Sequence, residues 1–103
     1  MKLRFNTYDC RLLWSRYAQS RRPALLLVNV RSPGDLIAVA SVELPGVDLD
    51  ANEIAIKNFG PSAGALEALS AAWVISKPVR FVEVGERAIP ICKLLVDAEN
   101  VVH

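Results

Sequence analysis

Histidine is almost absent: one residue, His103, in a chain of 103. A Ser–His–Asp or Cys–His nucleophile needs an imidazole held in a dry cleft by an orienting group. A lone histidine in the last position gives no sign of one. Cysteine is scarce too. Cys10 and Cys92 lie far apart with no CxxC pairing, and they read as two reduced thiols in a cytosolic protein rather than a disulfide or half a zinc site. An excess of charge of one sign is also missing: 12 basic residues oppose 11 acidic ones. No global field therefore draws the chain to nucleic acid or anionic lipid. The longest apolar runs reach five residues, far short of the roughly 18 that suggest a membrane span. The opening stretch is interrupted by Arg4, Asn6, Asp9 and Arg11, so it lacks the apolar heart of a signal peptide. A cytoplasmic protein without membrane contact is expected.

What is present is an ordinary globular composition, 52% apolar and 22% charged, which argues against disorder. One domain is expected, burying roughly two-thirds of its unfolded surface. The chain is organised around residues 53–73. Ile54 and Ile56 alternate with Glu53, Ala55 and Lys57, as in a half-buried strand. Gly60-Pro61-Ser62 break that period. Leu66, Leu69 and Trp73 then fall at helical spacing, predicting a helix over about 62–74 with these three toward a sheet.

Upstream, residues 24–30 form an apolar run of strand length. Ser32-Pro33-Gly34-Asp35 follows as a type II turn, and 36–44 alternates with Leu36, Ala38, Ala40, Val42 and Leu44 inward. This pair reads as an antiparallel hairpin. Residues 10–17 carry two readings: a strand through Cys10, Leu12 and Trp14, or a helix capped by Asp9. Dense aromatics favour the strand. Residues 79–84 and 88–96 suggest a second hairpin, whose Pro90 strand should lie at an edge or turn its nitrogen outward because proline cannot donate to a ladder. Residues 97–103 read as a frayed tail. The expected fold is α+β: a mostly antiparallel sheet of five or six strands with one helix packed on one face.

In sequence order, Tyr8-Asp9-Cys10, residues 43–49 (ELPGVDL), residues 53–59 (EIAIKNF) and residues 89–95 (IPICKLL) resemble a group of small uncharacterised bacterial proteins of the mobile-element type. The resemblance implies strands on both sides of the central helix and no particular activity. Members of that group carry an acidic Ser-Glu-Asn-Glu-Gly run where this chain has Gly60-Pro61-Ser62-Ala63-Gly64. Any catalytic or metal role of those carboxylates therefore does not carry over.

Chemical motifs are weak. Asp48, Asp50, Asn52 and Glu53 have a trace of a calcium loop but lack its central glycine. The Gly60–Gly64 loop before a helix has the topology of an anion cradle, but it is neither GxxxxGK[ST] nor GxGxxG. The bland readings, a solvated loop and a plain helix start, are preferred, and no metal, cofactor or catalytic residue is expected. Charge is nevertheless segregated. Arg16, Arg21, Arg22 and Arg31 cluster in the first third near Trp14 and Tyr17, a pattern able to bind single strands by phosphate contact and stacking.

The reading that follows is a non-enzymatic protein-interaction module that binds itself or another protein. The first three strands carry large apolar residues on both faces, whereas one helix covers only one. The uncovered face, lined by Leu13, Ile37 and Val39, is expected to form a homodimer. Weak single-stranded nucleic-acid binding through the four arginines is the alternative.

Overall fold

The computed structural model describes residues 2–32 and 35–96. Among these described residues are seven strands, β1 (Lys2–Phe5), β2 (Tyr8–Arg16), β3 (Pro23–Asn29), β4 (Leu36–Val39), β5 (Glu53–Ala55), β6 (Arg80–Val84) and β7 (Arg87–Lys93), with helix α1 (Ala65–Ala71) between β5 and β6. The α+β class and the antiparallel pairing are as expected. The expectation of one sheet of five or six strands is not met. The strands form a four-stranded sheet ordered β1-β2-β3-β4 and a three-stranded sheet ordered β5-β7-β6.

Two features account for the difference. Asn6 takes a left-handed backbone, φ 55°, as asparagine does more readily than most residues. The first stretch thereby folds into a β1–β2 hairpin, with Phe5 paired to Tyr8. The single alternating run over 36–44 is also divided between the sheets. Ala40 still donates its N–H to the Leu25 carbonyl, Ser41 pairs with Ile56, and Val42 donates to Ala55. Ser41 is thus the joint where the sheets meet.

The two sheets and α1 enclose one core containing Leu3, Phe5, Leu25, Leu27, Ile54, Ile56, Leu69 and Ile75. The other face of the three-stranded sheet holds Ala55, Ile89 and Ile91 under Val42, Leu44 and Leu49. β7 is therefore buried on both faces, and the continuous run Ile89-Pro90-Ile91-Cys92 is solvent-excluded. Of the two placements expected for Pro90, an edge strand is not found, since β7 is the middle one. Its missing N–H falls where the β5 ladder stops: the last β5–β7 pair is Ala55 with Ile91, and Ile56 donates to the Pro90 carbonyl before bridging to Ser41. Both cysteines lie in the main core. Burial raises both thiols, Cys92 to about 11, and the nearby Asp9 charge adds to the effect at Cys10.

The helix is shorter than the expected 62–74. Gly60–Ser62 forms a 3-10 turn, and α1 begins only after Gly64. Its first N–H groups are served from upstream, because the Asn58 Oδ1 accepts from both Gly64 and Leu66. At the other end Trp73 donates to Ser70 O and Val74 to Leu69 O, the bond pattern of a Schellman cap. The cap's left-handed position is filled by Trp73, φ 61°, where glycine is usual. The turn swings the indole away from the core, and it is 77% exposed. Trp73 does not face the sheet as its spacing suggested. Leu69 is fully buried and Leu66 half-buried. Because a left-handed conformation costs a side-chain-bearing residue about 1 kcal/mol or more, Trp73→Gly is expected to stabilise the fold by about 1 kcal/mol. Urea unfolding would show this as a higher midpoint, and a lower one would mean that the indole makes stabilising contacts.

The Ser32–Asp35 turn is closed by an Asp35 N–H to Ser32 carbonyl bond. Pro33, Gly34 and the tail 97–103 lie outside the described residues. Among the described residues, no helix is long and apolar enough to cross a membrane.

Candidate interaction surface and adjoining cleft

Residues paired across an antiparallel ladder share a face, so register decides what the four-stranded sheet shows on the side away from the core. Leu13 pairs with Leu26, and Leu26 with Val39. One apolar row therefore crosses three strands. The next row is Lys2, Arg11, Val28 and Leu36. Leu13 is 41% and Leu36 54% exposed, while Leu26, Val28 and Val39 are half-buried. The result is an apolar stripe with cations at one end.

Two of the three expected interface residues, Leu13 and Val39, share this row. Ile37 does not join them. A register shift between Leu27 and Val28 pairs Val28 with Leu36, so Leu36 rather than Ile37 occupies the outer face, and Ile37 packs against the core. A bulge adds one residue to a strand and reverses the alternation beyond it. Strict alternation over 36–44 could not show that.

Three of the four arginines stay together and the fourth does not. Arg16, Arg21 and Arg22 surround the β2–β3 turn, where Arg16 Nη1 donates to the Arg21 carbonyl at 2.9 Å. Arg31 follows β3 at its opposite end, beside the bond from Val30 N–H to the Asp9 carbonyl. Seven residues of strand put roughly 20 Å between the two ends. Trp14 packs against the core and Tyr17 is half-buried, so neither ring stands out as a stacking platform.

Arg22 has a different task. Its Nη2 donates to the carbonyls of Asp50 (2.8 Å) and Glu53 (2.6 Å), and its Nη1 reaches the Leu49 carbonyl at 3.5 Å. It thereby ties the β2–β3 turn to the loop before β5. Glu53, expected on the exposed side of its strand, is buried. It accepts from Arg80 Nη2 and from the Asp50 N–H, each at 2.9 Å. These bonds, the Arg80 bond foremost, hold its carboxyl below the usual range. Nothing local in the sequence marks a partner 27 residues away.

Between these groups lies a cleft of about 140 Å³, walled by Tyr17, Arg22, Glu43 and Glu53 and by the apolar side chains of Val42, Leu44, Val47 and Leu49. Tyr17 Oη lies 2.8 Å from Ser41 Oγ. Burial raises the phenol's pKa, although the Ser41 bond opposes the shift.

No protein-family model matches the chain, and no curated protein or solved structure shows significant similarity to it.

Proposed function

We propose that this chain is a non-enzymatic protein-interaction module that pairs with a second copy of itself through the outer face of its four-stranded sheet. The observation that carries the reading is the row Leu13–Leu26–Val39, flanked by Val28 and Leu36, on the sheet face opposite the core. The helix and the 42–49 loop both pack elsewhere. Contiguous exposed apolar surface is favourable to bury, at about 25 cal/mol per Å², and a two-fold pairing buries the same stripe on both copies. Its cationic end then acts as a polar rim. Two buried, unpaired thiols suit a reducing cytoplasm.

Sedimentation equilibrium at micromolar concentration tests the reading. A dimer is expected for the native chain, and Leu13→Asp or Val39→Asp should shift it to the monomer mass with an unchanged far-UV circular dichroism spectrum. A native monomer, or an aspartate variant that remains dimeric, refutes it.

A further inference from the structure

We infer that the cleft between the β2–β3 turn and the 42–49 loop binds a small ligand with an apolar body and one carboxylate, anchored by Arg22 and Tyr17. The cleft shares no residue with the apolar stripe, so this site is independent of self-association. Three observations meet there.

The first is a cation without an anion. Arg22 is half-buried, and among the described residues its guanidinium meets only main-chain carbonyls, of Leu49, Asp50 and Glu53. The neighbouring carboxylate of Glu53 is taken by Arg80. Arginine has five N–H donors. The three carbonyls engage both on Nη2 and one on Nη1, leaving Nε–H and the second Nη1–H for a ligand.

The second is a hydroxyl with its proton to spare. Ser41 Oγ accepts the Leu25 N–H at 2.9 Å and is buried, and its other polar neighbour is Tyr17 Oη. A buried serine proton needs an acceptor, so Ser41 donates to Tyr17. The Tyr17 proton is then free for an acceptor other than Ser41, and Tyr17 lines the cleft.

The third is size and lining. A volume of about 140 Å³ is close to the ~150 Å³ of a cavity that holds benzene. Val42, Leu44, Val47 and Leu49 supply the apolar wall. Glu43, the other carboxylate on the lining, repels a second negative charge, which limits the ligand to a monoanion.

Benzoate is a suitable probe, with benzyl alcohol and benzylamine as its neutral and cationic counterparts. In ¹⁵N-HSQC titrations of the whole chain, benzoate is expected to move the amides of residues 17–23 and 42–55 saturably. Benzyl alcohol should bind at least tenfold more weakly, and benzylamine not at all. Tyr17→Phe should weaken benzoate about tenfold, as expected for losing one hydrogen bond to a charged group. Arg22→Gln should abolish binding. If Arg22→Gln fails to fold, Tyr17→Phe and the three probes still decide. The inference is overturned by equal binding of alcohol and acid, by preferential binding of the amine (which would make Glu43 the anchor), by benzoate shifts outside the cleft, or by no saturable shifts with any probe.

Discussion

Leu69→Ala is expected to destabilise the fold by about 2–5 kcal/mol, the range for truncating a fully buried leucine. Leu69 has no solvent exposure and sits in the main core. α1 is only seven residues long, too short to hold helical structure in water by itself. Its helicity comes from docking Ala65 and Leu69, both fully buried, against the inner faces of the sheets. The same truncation removes core side-chain volume at one end of the Schellman cap, whose two ends, Leu69 and Val74, are both buried in the main core and joined by the Val74 N–H to Leu69 carbonyl bond. Leu66, half-buried on the adjoining stripe, should cost clearly less when cut to alanine. Urea denaturation of the two variants gives the comparison. A Leu69→Ala change below about 0.5 kcal/mol, or one equal to that of Leu66→Ala, would mean that α1 does not dock through this face.

How legible each element was depended on whether its determinants were local. The strand over 24–30 and the first part of the expected 36–44 strand, which ends at Val39, announce themselves by apolar density and by a turn whose Ser32 and Asp35 ends are indeed bonded. Alternation says that a residue faces a core but not which one. Val42 and Leu44 were expected beside Ala38 and Ala40, yet they cover the second core. The start of α1 was hidden because Asn58, whose side chain accepts the Leu66 N–H, stands eight residues before it across an intervening 3-10 turn. Its end was hidden because Trp73 has the right spacing for the buried stripe and the wrong backbone conformation. At the candidate surface, Leu13 and Val39 were readable from hydrophobicity alone. Leu36 was not, since a bulge depends on the partner strand. The cleft was not readable at all. Tyr17 and Ser41, 24 residues apart, and Arg22 and Glu53, 31 apart, are brought together only by the joint between the sheets.

That joint gives the second large effect, in Ser41→Ala. The Ser41 hydroxyl accepts the Leu25 N–H at 2.9 Å and bonds Tyr17 Oη at 2.8 Å. Removing it strands the Leu25 N–H in a place with no exposure. A buried donor left without a partner costs about 1–3 kcal/mol, and that cost is expected for Ser41→Ala in urea unfolding. Tyr17→Phe keeps the Leu25–Ser41 bond but takes the acceptor from the Ser41 proton, and because Tyr17 is only half-buried the gap is open to water on that side. A loss of about 1 kcal/mol or less is expected. The two changes share a bond, so their sum should exceed the double variant's effect by roughly the Tyr17 term. The backbone bridge from Ser41 to Ile56 does not need the side chain, so the sheets stay joined and Ser41→Ala should unfold in one transition. Two transitions would mean that the hydroxyl itself holds the sheets together, and strict additivity would mean that Tyr17 and Ser41 do not bond in solution.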